Sequence, residues 1–255
     1  MKLIRGALFF TVLLLSPLPA NADVFQYFDQ DGTLIITDTP HPADRPRVLR
    51  DRASKGIKTE FKEGIYYEYY PVTGNNFHEV VSSTSINGYF DAKEGKRFPA
   101  VTKWNTGWTY KMEYSYEIAD SSVRVSMNIF SVDFKSDITV VLPTVSENTV
   151  LNSGDLKLWN GFVQELISHE HDHVKIIRDS SYQDKALKAI TGLKEFILPY
   201  EQNADIDDLI KKSVEAETGR IGHALIKEIK EKNDEYDRLT EHGLKPKMRE
   251  VFFGS

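Results

Sequence analysis

The chain contains no cysteine, which excludes disulfide staples, thiolate nucleophiles and cysteine-ligated zinc together. Long apolar runs are also missing: after the N-terminal leader no segment approaches the ~18 uninterrupted apolar residues that a membrane helix needs. Nor is there an excess of positive charge. The formal charge is −6, and loss of the leader, which takes away Lys2 and Arg5 and no acid, makes it −8. Such a chain has no general electrostatic reason to bind nucleic acid or anionic lipid.

What is present begins with residues 1–22, "MKLIRGALFFTVLLLSPLPANA": two basic residues, a short apolar run and small residues ending in an A-x-A site. This is the layout of a cleavable signal peptide cut after Ala22, and it predicts a secreted or periplasmic protein without a transmembrane segment once mature. Residues 23–40, "DVFQYFDQDGTLIITDTP", read as a β-hairpin, with alternating apolar positions on either side of a D-Q-D-G turn. Tyr27, the run from Asp29 to Gly32, and Thr37 to Pro40 resemble a short bacterial envelope β module, the domain of unknown function numbered 4124. Residues 41–62 are rich in Pro, Arg, Asp and Lys without periodicity and read as a linker. The main domain is expected over residues 63–255.

Within it, "GIYYEYYPVTG" reads as a strand, and a short helix is expected from Asn75 or Asn76 as N-cap. "WTYKMEYSYEI" and "VRVSMNIFSVDF" alternate as half-buried strands, and "DITVVLP" reads as a third that stops at Pro143. The remaining half reads as helical. Strands first and helices afterwards argue for an α+β fold with an antiparallel or mixed sheet.

The chemistry gathers at "SHEHDHVKI", residues 168–176, where three of the seven histidines alternate. On a strand His169, His171 and His173 would share one face; on a helix His169 and His173 would, with Glu170 beside them. At 100° per residue from Trp159, Val163, Leu166, Glu170, His173 and Ile177 fall within about 40° of one line, with Phe162 and His169 flanking it. His171 falls about 120° away and Asp172 nearly opposite, where solvent is expected. Strand alternation fits poorly, so the segment reads as a helix presenting H-E-x-x-H. Burying a carboxylate and two imidazoles on an apolar stripe is costly unless something satisfies them, and a divalent ion does so. Two histidines at i and i+4 reach one ion, and the intervening Glu is placed as a general base.

A third ligand is sought downstream, in the long amphipathic segment that runs from Asp205 to Gly243 and is expected to form one or two helices. Here "SHEHDH" together with "YDRLTEHG" resembles the bacterial family of predicted secreted zinc-dependent proteases, the domain of unknown function numbered 922. "YYPVTGNNFHEVVSS" and the Trp104 and Trp108 segment resemble earlier parts of that family, so the likeness runs from about Ile65 to Gly243. The resemblance implies a zincin-like metallopeptidase with one Zn2+ per chain, held by His169, His173 and His242. It also implies Glu170 as general base and Asp237 orienting a ligand imidazole. Asp237 or Glu241 as direct ligand stays open, and Glu215 or Glu217 would fit another common plan, although both read more simply as a solvated acidic face. Tyr236 is read as an oxyanion donor or a core tyrosine. His41, His78 and His223 have no identifiable partners. The sequence departs from the family in having Asp172 where Gly is common before the second histidine.

The expected reaction is hydrolysis of a protein or peptide substrate, cell-wall peptide included, with Glu170 taking a proton from a zinc-activated water. An exposed strand in "VRVSMNIF" or "DITVVLP" is expected to take an extended peptide by β-addition. Trp104 and Trp108 read as core or as the aromatic wall of a cleft. The competing expectation is a non-catalytic, metal-stabilised envelope binding module.

Overall fold

Alternation builds the two longest strands. In the computed structural model, which describes residues 6–7, 25–28, 34–37, 58–91, 94–201 and 204–254, Val123, Val125, Met127 and Ile129 are buried while the residues between them are not. The elements used below are β1 (Phe25–Phe28), β2 (Leu34–Thr37), β3 (Lys58–Lys62), β4 (Ile65–Val72), α1 (Phe77–Asn87), β5 (Tyr89–Asp91), β6 (Lys96–Phe98), β7 (Val101–Ala119) and β8 (Ser122–Val145). They continue with α2 (Ser153–Ile177), α3 (Ser180–Thr191), β9 (Glu195–Pro199), α4 (Ile206–Thr240) and α5 (Met248–Phe253). The order is α+β, and the sheet is mixed: β8 runs parallel to β4 and antiparallel to β9.

The described residues divide between two compact units, and β7, β8 and α4 contribute to both. One unit takes in Asn105–Ser136 and Asp179–Ile229. Here β9 pairs with the start of β8, from Glu195↔Ser126 to Pro199↔Ser122. The Tyr114 hydroxyl donates to Asp207 at 2.7 Å. Strands β1 and β2 pair antiparallel from Phe25↔Thr37 to Phe28↔Leu34; the residues between them, all of the leader but 6–7, and most of the linker lie outside the described residues.

The other unit takes in His41–Trp104, Asp137–Arg178 and Lys230–Ser255. Its sheet pairs β4 with the end of β8 in parallel, Ile65↔Ile138 through Val72↔Val145. Tyr70, Val72, Val80, Val141 and Trp159 form a core cluster with Phe77, Phe162 and Val163 packed against it. Helix α1 starts where Asn76 Oδ1 accepts the Glu79 N–H at 3.1 Å, and α2 where Asn152 Oδ1 accepts the Asp155 N–H at 2.9 Å; each cap satisfies a donor that the first turn leaves open. Trp159, Phe162 and Val163 thus seat the first half of α2 on the core. Its second half carries the histidines.

Several expectations change. Lys58–Lys62, assigned to the linker, pairs with β4 across a turn at Glu63 and Gly64. "VRVSMNIFSVDF" and "DITVVLP" are one strand that continues through Pro143, which faces Tyr70. Val123–Ser126 is paired to β9 and Ile138–Pro143 to β4, so these stretches are already taken up and do not await a peptide. The helical segment breaks after Ile177, where Asp179 caps a new helix through the Ser181 N–H and Arg178 Nη2 reaches the carbonyls of Glu63 and Gly64. A strand, β9, stands within the half read as helical. Among the described residues no helix is long and apolar enough to cross a membrane.

Candidate metal centre

Helices α2 and α4 meet antiparallel at the site: His169 faces Asp237, Asp172 faces Tyr236, and His173 faces both Asn233 and Asp237. The i, i+4 spacing on each helix makes this pairing possible, since both pairs repeat once per turn. His169 Nε2 lies 3.0 Å and His173 Nε2 3.1 Å from Asp237 Oδ1, and the two Nε2 atoms are 3.2 Å apart. A tetrahedral ion with bonds of 2.0–2.1 Å separates its ligand atoms by about 3.3 Å. These three atoms therefore have the spacing of a zinc site to within a few tenths of an ångström. They are the group among the described residues whose ligand atoms all lie within 4.8 Å of one another.

His242 stands at the edge of this group, its Nδ1 3.6 Å from Asp237 Oδ1 and its side chain 36% exposed. It gets there through an unusual helix end. Glu241, His242 and Gly243 all have positive φ, at 49°, 53° and 87°, and the His242 N–H returns to the Asp237 carbonyl at 3.0 Å. Left-handed backbone is unfavourable for residues with a Cβ, so this reversal is held by its surroundings, including the Phe98 ring 4.9 Å from the imidazole. Gly243 is favoured for a second reason: a Cβ there would sit 3.3 Å from His169 Cγ, close enough that the imidazole would have to give way. Glu241 is exposed and pairs with Lys245.

The partners of the two imidazoles differ. His173 Nδ1 donates to Asn233 Oδ1 at 2.6 Å, which aims Nε2 at Asp237, as outer partners of ligating histidines do. Burial alone would lower the His173 pKa, but the hydrogen bond and charge of Asp237, with Glu170 and Asn233 behind them, push it up to about 9. Burial works against the Asp237 carboxylate as well, yet His169 and His173 hold its carboxyl well below the usual range. His169 Nδ1 is buried without a hydrogen-bond partner.

Glu170 is 4% exposed. Thr102 Oγ1 donates to its Oε2 at 2.7 Å and lies 3.1 Å from its backbone carbonyl oxygen. Burial raises the Glu170 carboxyl, against the neighbouring imidazoles and Thr102, which pull it down. His171 points away from the cluster, as the helix phase predicts, to within 2.9 Å of the Tyr67 hydroxyl. Asp172 does not face solvent. It is fully buried and accepts from Lys175, Tyr236 and Arg249. The Tyr236 hydroxyl is committed to Asp172 at 2.7 Å rather than offered to a substrate. Trp104 and Trp108 are buried and belong to the interior. Glu217 pairs with Arg220 on the surface, whereas Glu215 is buried instead of solvated.

Sequence reasoning missed Thr102, Asn233 and Arg249. Asn233 had a signal, standing four residues before Asp237 on the same helical face; Thr102 and Arg249 are brought in by tertiary contacts alone.

A mixed α+β chain whose H-E-x-x-H helix and downstream helix bring two imidazoles and a carboxylate to metal-site spacing is a candidate metalloprotein. The chain belongs to a bacterial family described as "Bacterial protein of unknown function (DUF922)", which matches residues 67–243. Residues 11–53 match a second family, "Domain of unknown function (DUF4124)". Neither the curated proteins nor the solved structures contain a match to the chain.

Proposed function

We propose that this protein is an exported zinc-dependent peptidase, acting on protein or peptide, cell-wall peptide included. The observation that carries the reading is the convergence of His169 Nε2, His173 Nε2 and Asp237 Oδ1 within 3.2 Å of one another, next to a buried glutamate. One Zn2+ per chain is held by these three residues. Asp237 takes the third position that the family resemblance gave to His242, and His242 stands beside it. Residues 1–22 supply the export signal.

A bound zinc ion supplies Lewis acidity and an acidified water. The protein's own groups do the rest. Thr102 occupies Glu170 Oε2, leaving Oε1 to accept the proton and return it to the departing amine. Burial raises the Glu170 carboxyl, toward the range in which one group both takes and gives a proton near neutral pH. Asn233 keeps the His173 proton on Nδ1, so Nε2 is the nitrogen that ligates.

The test is elemental analysis of purified protein lacking residues 1–22, wild type beside His173→Ala, Asp237→Ala and Glu170→Gln, followed by hydrolysis of an unfolded protein substrate. About one zinc per chain is expected in wild type and in Glu170→Gln, with loss in the other two. Glu170→Gln should lose about 10²–10⁴-fold in rate. Hydrolysis by Glu170→Gln at the wild-type rate would sink the mechanism. A second reading rests on the 3.6 Å between His242 Nδ1 and Asp237 Oδ1: if His242 closes the coordination, the site is structural and the protein a metal-stabilised envelope module. Zinc retained by wild type with no hydrolysis, and weakened by His242→Ala, would favour it.

A further inference from the structure

The proposed chemistry makes no use of Asp172, yet this carboxylate is fully buried one residue from His173. Its Oδ1 accepts Lys175 Nζ at 2.8 Å; its Oδ2 accepts the Tyr236 hydroxyl at 2.7 Å and also Arg249 Nε. The Arg249 bond is the leading cause that holds the Asp172 carboxyl below its ordinary value against burial. Lys175 is 63% exposed and Arg249 31%, so water screens the lysine more than the arginine. Removing one partner of a buried ion pair leaves an uncompensated charge, a strongly destabilising change.

Tyr236 connects this pair to the histidines. Its ring is completely buried, stacked on His169 with centroids 5.0 Å apart and planes at 22°, and edge-on to His173 at 5.1 Å and 89°. Phe252 and Phe253 of α5 also pack on it, at 5.0 and 5.8 Å. One aromatic ring therefore touches both imidazoles, while its hydroxyl is fixed by a carboxylate that a residue of α5 neutralises. We propose that Arg249 is a positioning residue for the metal centre: it fixes Asp172, Asp172 fixes the Tyr236 hydroxyl, and the Tyr236 ring holds His169 and His173 in their ligating orientation. This inference rests on the metal reading above. It gives α5, which contributes no ligand, a defined part in the site.

The experiment is zinc affinity by competition with a chromogenic chelator on protein lacking residues 1–22. Variants are Arg249→Met, Arg249→Lys, Tyr236→Phe and the double Arg249→Met/Tyr236→Phe, with Val80→Ala as a core control in the same unit. Arg249→Met and Tyr236→Phe should each weaken zinc by about 10–100-fold, the usual cost of an outer partner. The double variant should be no worse than the weaker single, because both act through one chain of contacts. Arg249→Lys, which keeps the charge, should recover part of the loss. Val80→Ala should lower the melting temperature and leave zinc affinity little changed. Wild-type affinity in Arg249→Met, or a loss in Val80→Ala equal to that in Arg249→Met, would overturn the positioning role alone. Wild type that takes up no zinc would overturn the metal reading, and this inference with it.

Discussion

At Gly243 two constraints coincide: a φ of 87° and a space of 3.3 Å between a would-be Cβ and His169 Cγ. Gly243→Ala should cost about 1–2 kcal/mol for the left-handed backbone, read from urea unfolding of metal-free protein. It should also push the His169 ring and weaken zinc binding; unchanged affinity would mean that the imidazole yields freely. Single residues also explain what the sequence concealed. The histidines and Glu170 were legible because their spacing and the Trp159 stripe fix one helical phase. Asp172 was not, since the wheel sets it opposite that stripe and marks it for solvent. Helix α2 is covered on more than one side there: Tyr236 of α4 and Arg249 of α5 both reach Asp172, which closes over a position that the wheel leaves open.

Among elements, local signals located starts better than ends. Asn76, which the sequence offered, caps α1, and Asn152, which was not singled out, caps α2 in the same way. Asn152→Ala should cost about 1 kcal/mol of stability without moving zinc affinity, because Trp159 and the core, not the cap, seat the helix below the histidines. An affinity change there would imply that the whole of α2 shifts. The break at Arg178 had a local signal that the stripe of apolar positions masked: Asp179, Ser180 and Ser181 favour an N-cap over a helix interior, and Asp179 caps α3 through the Ser181 N–H while Arg178 reaches the Glu63 and Gly64 carbonyls. Strand β9 was hidden because its pairing to Ser122–Ser126 is long-range, and the short apolar run Phe196–Leu198 carries no period to announce it. Among the candidate ligands, the resemblance carried by "YDRLTEH" implied His242 as the third, with Asp237 behind it and Asp237 as a direct ligand left open. Only the antiparallel meeting of α2 and α4 brings Asp237 between the imidazoles.

For the molecule as a whole, the His173 and Asp237 pair contributes a defined part of the response to pH. His173 titrates near 9 in metal-free protein, above the 6.5 of an ordinary histidine. Its contribution to stability is therefore fully present below about pH 6.5 and is lost as pH rises through about 9. Metal-free protein should accordingly melt at lower temperature at pH 9.5 than at pH 6.5, while zinc, which competes with that proton, should bind tighter as pH rises toward 9. Melting curves with chelator and with excess zinc check both signs; parallel curves would remove the histidine from the site. The antiparallel meeting of α2 and α4 has one more consequence, in time rather than in space. Asp237 follows His173 by 64 residues, so a chain translated only as far as α2 holds two imidazoles and no carboxylate between them. On the proposed metal reading, capture waits until α4 has been made and has folded back, so the emerging polypeptide has no three-residue site of its own.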